Sequence, residues 1–396
     1  MKFKLVIIFI ISVFIMSFGN NYVFAKAEST TNERGEEKSI DEITDEILNE
    51  IDAEEIEKYF DELIAPFAKS GGLKDFIKAI TNGETGSFKD IASYLGYLLS
   101  YGFKEQLPSF VSLFALILFS SLLKLIKPSD KSGGAGDLAC FAVFTAIVCM
   151  VSVIIYGTVS KAGNVIDKMA GFTEAVYPVV LSLTVVCGAG NSAANVTPAA
   201  LFISDTVIIL VKTFIFPIIV FMFVTSIISN LNKSIKLKNL FVFLSGFMKW
   251  AIGLFTAVFS LFLGLNGLNS VNLDGLGFKT AKYTMGSAIP FVGGVVGDGL
   301  NIMISSAAII KNAFGTLAVF MVFSVTVVPV FEIIILTLVL RLIAAITEPF
   351  SDPRIGEFIS GGITVINFVV ASLIAVSFMY LITFVAVISC TQYLFL

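Results

Sequence analysis

The fold is decided by a run of apolar residues at positions 313–340, which reads AFGTLAVFMVFSVTVVPVFEIIILTLVL and contains one charged residue, Glu332. A helix needs about 20 such residues to cross a bilayer, and this run is longer. Comparable runs occupy positions 107–126, 138–160, 213–231, 250–270 and 361–390. The pattern predicts an all-α polytopic membrane protein with six full spans.

The composition points to the same class of protein. Of the 396 residues, 56% are hydrophobic and 14% are charged, whereas soluble domains carry about 25% charged residues. The chain contains no histidine, which excludes histidine-based catalytic triads and histidine metal ligands. No arrangement of carboxylates, nucleophiles or metal-binding side chains stands out. We therefore expect neither a catalytic site nor a bound metal or cofactor, and no nucleic-acid partner.

Two further apolar stretches, at 175–198 and 284–306, are interrupted by glycine and proline. Backbone that leaves the helical conformation at membrane depth must be sheltered by protein or line a wet cavity, because lipid cannot satisfy its polar groups. We therefore predict two broken, re-entrant segments. The candidate pore or interface residues in them are Pro178, Pro290, Gly293, Gly294, Gly297 and Asp298.

The two interrupted stretches are related by an offset of 112 residues. The same offset superimposes Pro217 on Pro329 and the segment 138–231 on 250–343. Each copy would contain a span, a polar amphipathic linker (161–173 or 273–283), a broken segment and a long span with one proline. This spacing predicts an internal repeat, although few residues are identical between the copies.

The N-terminal part of the chain differs in character from the rest. Residues 1–27 combine Lys2 and Lys4 with an apolar run and end in Ala25-Lys26-Ala27, which is typical of a cleaved signal peptide. Residues 28–106 carry 19 acidic and 8 basic side chains, a net charge of −11. Apolar residues at helical spacing predict three amphipathic helices in this extracytoplasmic region. They would pack against each other, the membrane surface or a partner protein.

The membrane domain, 107–396, has a net charge of +4, and the placement of its basic residues favours one topology. If both broken segments are re-entrant, eight basic residues flank the spans on the cytoplasmic side and four lie outside. If both segments cross fully, the count is seven inside and five outside. The excess of positive charge on cytoplasmic loops therefore favours the re-entrant arrangement slightly. In both arrangements the C-terminus lies outside.

Six charged residues lie within or beside the apolar runs, where charge is costly and marks a candidate functional residue. They are Asp205, Lys212, Lys249, Asp298, Lys311 and Glu332. Lys212 and Lys311 precede long apolar runs, so each is expected to extend its ammonium group to the membrane surface. Glu332 lies within a continuous run, and we expect it to face a protein interior or a pore.

Several short sequences resemble the stage III sporulation protein AE family of endospore-forming bacteria. They are Gly163-Asn164-Val165-Ile166-Asp167-Lys168-Met169, Tyr177-Pro178, Thr280-Ala281-Lys282-Tyr283, Gly286, Ile289-Pro290-Phe291-Val292-Gly293 and Lys311-Asn312-Ala313. The order of signal sequence, acidic helical region and multispanning body is similar to that family over nearly the whole mature chain.

The resemblance implies a membrane subunit of the channel-like, secretion-like complex that joins mother cell and forespore. The implied location is the mother-cell membrane around the forespore, and the implied role is forespore development and late sigma-factor activity. The implied partners are the other proteins of the stage III operon (a cytoplasmic ATPase, small membrane subunits and ring-forming proteins) and stage II sporulation protein Q. The resemblance supplies no catalytic residues.

Two other functions remain open from the residues themselves. One is an autonomous secondary transporter, whose two broken helices would form a substrate site near the middle of the bilayer. The other is a structural anchor for the exported region. The scarcity of buried charge and of a coupling-ion cluster argues against the transporter.

Overall fold

Long helices are formed by the apolar runs of this chain. A computed structural model describes residues 54–63, 88–126, 135–187, 206–231, 237–261, 293–349 and 352–389, and no strand occurs among them. All of these residues belong to one compact unit, Ile51–Leu396. The expected signal peptide, much of the acidic region and Pro290 lie outside the described residues.

The described residues form seven helices. Their bounds are α1 Glu54–Leu63, α2 Phe88–Ile126, α3 Ala135–Val186, α4 Thr206–Leu231, α5 Lys238–Leu261, α6 Gly293–Thr347 and α7 Pro353–Ser389. Helices α2 to α7 each contain a stretch long and apolar enough to cross a membrane. The prediction of an all-α protein with six spans is confirmed.

Helices α3 and α6 are far longer than a single span requires. They contain 52 and 55 residues, or about 78 and 83 Å at 1.5 Å per residue, against a hydrocarbon thickness of about 30 Å. Pro178 lies inside α3 and Pro329 inside α6. The segment 161–173, expected as a linker, is part of the continuous helix α3.

Among the described residues, two of the indicated positions, Tyr177-Pro178 and Gly293–Gly299, are helical and not interrupted. Helix α3 continues through Tyr177 and Pro178 to Val186, and Gly293–Gly299 form the first turns of α6. Neighbouring helices can hold a proline-containing helix together where lipid could not. The remaining parts of the two interrupted stretches, 188–198 and 284–292, and the linker 273–283 lie outside the described residues. The internal repeat stays a prediction.

Proline has a visible local effect in α4. Pro217 follows a π-helical turn at Leu210–Ile215, in which the Phe216 N–H donates to the Val211 carbonyl. Proline lacks the N–H that an α-helix would use at this position, and its ring crowds the carbonyl four residues earlier. The wider π turn accommodates this loss without ending the helix.

The core of the bundle is formed by α3, α6 and α7, which pack on one another. Lys161 of α3 contacts Glu332 of α6, and Met169 contacts Thr326, so these two helices are antiparallel. Phe172 packs against Phe384, as Phe144 does against Phe358, so α3 and α7 are parallel. Helix α2 packs on α3 and α6, and α4 packs on α7. Helix α5 lies at the periphery and exposes large apolar side chains such as Phe243 and Trp250.

Buried hydroxyl groups are satisfied mostly within their own helices. Thr158, Thr173, Thr184 and Thr337 each donate to the carbonyl four residues earlier, at 2.6–2.9 Å. This local bond lets a polar side chain lie in an apolar bundle without an unsatisfied donor.

Helix α1, from the acidic N-terminal region, packs against α3 and α6. Ile56 and Phe60 on its apolar face are buried, while Glu57, Lys58 and Asp61 are exposed. The Tyr59 ring meets Phe172 edge to face at 6.0 Å, and its hydroxyl lies directly over Gly171, where a larger residue would collide with it. Helix α1 therefore packs on the membrane domain of its own chain, a partner that was not among those expected for the amphipathic helices.

Candidate functional site

An ion pair between Lys161 of α3 and Glu332 of α6 lies inside the helix bundle. The Glu332 side chain is only 12% exposed, and that of Lys161 is 40% exposed. A carboxylate so poorly hydrated is stabilised by a cation that donates a hydrogen bond to it. Glu332 thus faces the protein interior, and its partner is 171 positions away in the sequence.

A second ion pair joins Lys212 of α4 to Asp167 of α3. Asp167 follows Lys161 by six residues, about 9 Å along the helix axis. We refer to Lys161, Asp167, Lys212 and Glu332 together as the charged layer. Its two cations and two anions cancel, and they connect three helices within about 9 Å along the bundle axis. The ammonium of Lys212 bonds to Asp167, and its expected extension to the membrane surface stays a prediction.

A buried polar contact lies beside the charged layer, between α6 and α7. The hydroxyls of Thr326 and Ser377 are 2.8 Å apart, and both lie within 3.8 Å of the Met169 sulfur on α3. Each hydroxyl also bonds to a carbonyl of its own helix. Because each hydroxyl has one hydrogen, it donates either to its own helix or across the contact, so the contact places polar groups of α6 and α7 together beside α3 without leaving a donor unsatisfied.

Lys311 of α6 is fully buried, at 0% exposure. It lies within electrostatic range of Cys187, at the end of α3, and Cys187 packs with Ala307 and Ala308. The expectation that Lys311 extends to the membrane surface is therefore wrong. Lys311 lies within the long helix α6, and its side chain is enclosed by protein.

Close helix contacts depend on two adjacent glycines in α7. A side chain at Gly361 would collide with the Ser226 hydroxyl of α4 and lie 3.2 Å from its Cβ. A side chain at Gly362 would contact Val151 and Ile155 of α3 at 3.5 Å. Small residues at membrane helix contacts let the backbones approach closely. This glycine pair holds α7 between α3 and α4.

The candidate residues from the sequence are not brought together in one place. Pro178 is on the exposed side of α3, about 26 Å along the helix from Lys161. Gly293, Gly294, Gly297 and Asp298 lie in the first turns of α6, some 50 Å along that helix from Glu332. Asp205 and Pro290 lie outside the described residues.

The charged layer contains two residues that the sequence did not single out, Lys161 and Asp167. Both lie in a segment expected to be a linker, so neither carried the signal of a charge within an apolar run. Their pairing with α6 and α4 depends on helix packing, which no local pattern reveals.

The geometry of the charged layer suits a structural clamp. Each of its charges is already compensated by a partner, so the layer offers no excess charge for a coupling ion. Among the described residues, no group of three or more Cys, Asp and Glu side chains could hold a metal ion.

Comparison with known proteins connects the chain to one family. The family described as Stage III sporulation protein AE matches residues 72–391. The chain is 26% identical over 329 residues to the Stage III sporulation protein AE of Bacillus subtilis strain 168, covering 82% of this chain and 81% of that protein. No solved structure matches the chain.

Proposed function

Because the chain belongs to the stage III sporulation protein AE family, we propose that it is a membrane subunit of the channel between mother cell and forespore. Family membership gives it a role in sporulation, and its six apolar helices make it a multi-pass membrane protein. The finer proposal is that its complex is needed for forespore development and late sigma-factor activity.

The observation that carries this proposal is the extent of the family match. Residues 72–391 include all of helices α2 to α7. The whole membrane body, rather than one shared segment, is therefore what the chain has in common with the family. A function shared with the family would therefore depend on helices α2 to α7.

We place the protein in the mother-cell membrane around the forespore, with residues 28–106 in the space between the two membranes. Helix directions support this orientation. Helices α4 and α6 are antiparallel to α3, and α7 is parallel to it. One end of the bundle therefore contains the first residues of α3 and α7 and the last residues of α4 and α6. Of the basic residues assigned to the cytoplasm, Lys238, Arg341 and Arg354 lie at or near these ends of the described helices, and Lys131, Lys233 and Lys236 are in the adjoining sequence. Positive charge at one end marks the cytoplasmic side.

The proposed partners are the remaining proteins of the stage III operon and stage II sporulation protein Q. Ring-forming proteins would meet the protein on the side of α1, and the cytoplasmic ATPase would meet it at the opposite end. We propose no enzymatic activity for this chain, and the charged layer then serves to hold the bundle together.

The autonomous transporter is the weaker alternative. Its argument required two broken helices, and the structure shows two of the candidate break positions, Pro178 and Gly293–Gly299, in helical conformation. Uptake of a solute by liposomes that contain the purified protein alone would nevertheless support the transporter over the channel subunit.

Deletion of the gene in its own host tests the proposed function. We expect normal engulfment, loss of activity from a reporter driven by the late forespore sigma factor, and few heat-resistant spores. Expression of the wild-type chain from a second locus should restore all of these. A deletion strain that forms heat-resistant spores normally, or that is blocked before engulfment, would contradict the proposal.

A further inference from the structure

The exposed surface of α3 changes character along its length. From Leu138 to Tyr156 the exposed side chains include large apolar ones, such as Val153 at 71% and Tyr156 at 77% exposure. From Ser160 to Ser182 the exposed side chains are Ser160, Asn164, Asp167, Lys168, Glu174, Pro178 and Ser182. The exposed face of α3 is therefore suited to lipid in its first part and to water in its second part.

The neighbouring helices change at the same level. Leu338, Leu342 and Ile346 of α6 are exposed and lie beyond Glu332, on the side of the charged layer where α3 is apolar. In α4, Phe216 lies beside Gly163 of α3, close to the charged layer. After Phe216, α4 exposes five large apolar residues: Val220, Phe221, Val224, Ile228 and Leu231. On the other side of the layer, exposed apolar residues are few and scattered: Val185, Val186, Ile209, Phe214 and Val385.

The lengths of the helices leave room for only one part of the bundle in the membrane. Leu138 to Tyr156 spans about 28 Å at 1.5 Å per residue, which nearly fills a hydrocarbon layer of about 30 Å. Ser160 to Val186 adds about 39 Å more. Placing Asp167, Lys168 and Glu174 against lipid would cost roughly 2.5–3.5 kcal/mol for each charge near the bilayer centre.

We propose that the hydrocarbon of the bilayer ends at the charged layer and that the remainder of the bundle stands in water. This projecting part contains α3 from Ser160 onward, α6 from Ala307 to Glu332, and α7 from about Ala371 to its end. The apolar runs 313–340 and 361–390 therefore lie only partly in the hydrocarbon, and their side chains in the projecting part are mostly covered by the bundle itself. Helix α1 is docked on it, with Glu57, Lys58 and Asp61 exposed. The projecting part lies on the extracytoplasmic side, a placement that rests on the orientation proposed above.

The charged layer has a physical role in this arrangement. Lys161, Asp167, Lys212 and Glu332 lie where the dielectric constant changes from that of hydrocarbon to that of water. Charged side chains are least costly there while still positioned to pair across helices. The layer thus marks the outer membrane surface and fixes the depth of the bundle.

Cysteine accessibility tests the proposal. A variant with all four native cysteines replaced would carry single cysteines at Asn164, Glu174 or Ser182, which are exposed and polar. Matched controls on the same helix are Val153→Cys and Tyr156→Cys, which are equally exposed but apolar. Protoplasts of vegetative cells that express each variant in the cell membrane, where the extracytoplasmic side faces the medium, would be treated with a membrane-impermeant maleimide and, separately, with one linked to a polyethylene glycol chain.

We expect the three polar positions to react with both reagents at least about tenfold faster than the two controls, since the reactive thiolate forms in water and not in hydrocarbon. Reaction with the small reagent alone would overturn the proposal and indicate a narrow wet path inside the membrane. Protection of Glu174→Cys and Ser182→Cys at the level of the controls would also overturn it. Reaction of the polar positions only after permeabilisation would show that the projecting part lies on the cytoplasmic side.

A second measurement does not depend on the host cell or on sporulation. Spin labels at the same five positions in nanodiscs should collide with a water-soluble nickel complex at the polar positions and with dissolved oxygen at the controls. Oxygen-dominated collisions at Glu174→Cys and Ser182→Cys would contradict the projection. Gel filtration and labelling after denaturation confirm that each variant is folded and that its thiol is intact.

Discussion

At the scale of single residues, the bundle is specified by a small number of polar and small side chains. Glu332 is buried with a cation, Thr326 and Ser377 bond across two helices, and Gly361 allows close contact with Ser226. Apolar side chains alone do not distinguish one helix register from another in a membrane, because lipid is as apolar as they are. These residues supply the specificity that the apolar surface lacks.

The ion pair in the charged layer should contribute measurably to stability. We expect Lys161→Met to lower the free energy of unfolding by about 1–2 kcal/mol, because it leaves the poorly hydrated Glu332 carboxylate without its cation. The matched control is Lys238→Met, which breaks a pair with Glu357 at 3.7 Å in which both side chains are highly exposed. That change should cost close to nothing.

Thermal unfolding of the detergent-solubilised proteins, followed by gel filtration, measures both variants. Exchange of the charges in Lys161→Glu with Glu332→Lys should recover part of the loss. Equal melting temperatures for Lys161→Met and Lys238→Met would show that the buried pair has no special role.

Glycine 361 gives a second residue-scale prediction. Gly361→Ala should destabilise the protein by about 1–2 kcal/mol, because the new methyl group collides with Ser226. Gly356→Ala on the same helix meets nothing within 4 Å and should be neutral or stabilising by up to about 1 kcal/mol, from its higher helix propensity. Unfolding in detergent distinguishes the two. Addition of Ser226→Gly to Gly361→Ala should restore stability, and failure to do so would locate the cost elsewhere.

At the scale of helices, α3 and α6 are much longer than a membrane span requires. Helices α3 and α6 run through the charged layer without a break, so one pair of helices links the lipid-facing part to the part that carries α1. Helix α1 is too short to be stable alone, and its stability comes from burying Ile56 and Phe60. Docking of α1 on the bundle therefore rests on two buried apolar side chains and on the space over Gly171 that Tyr59 occupies.

Removal of one of these side chains should release α1. We expect Phe60→Ala to weaken the docking by about 3 kcal/mol, the cost of truncating a buried phenylalanine, and to increase cleavage by trypsin after Lys58. The control, Asp61→Ala, changes an exposed neighbour and should leave cleavage unchanged. Mass spectrometry of the fragments identifies the site. Equal cleavage of Phe60→Ala and the parent protein would show that α1 is held by other contacts.

At the scale of the whole molecule, the compact unit begins at Ile51. Its stability is therefore expected to depend on α1 but not on the residues before it. This division separates the part of the acidic region that belongs to the folded body from the part that precedes it.

Two deletions test this boundary. Removal of residues 29–50 should leave the unfolding temperature in detergent within about 2 °C of the parent value. Removal of residues 29–63 should lower it further, because Phe172 and the surface around Gly171 lose the cover of α1. Identical unfolding temperatures for the two deletions would place the boundary of the folded unit after α1.

The sequence by itself determined that this is a membrane protein and how many spans it has. Six apolar runs, few charges and no histidine predict a helical membrane protein whatever the packing, because the cost of exposing apolar surface is a property of each segment. The family resemblance was also visible, since it depends on the order of residues.

Only the tertiary structure decided where the chain bends and which charges meet. Proline and glycine favour a break but do not require one: α3 is continuous through Pro178, and Gly293–Gly299 are helical at the start of α6. Lys161 and Glu332 are separated by 171 positions, and Lys311 is buried although it precedes an apolar run. Ion pairs between helices and the burial of a lysine depend on contacts between segments that are distant in the sequence. The local sequence does not indicate which helices are neighbours in the bundle.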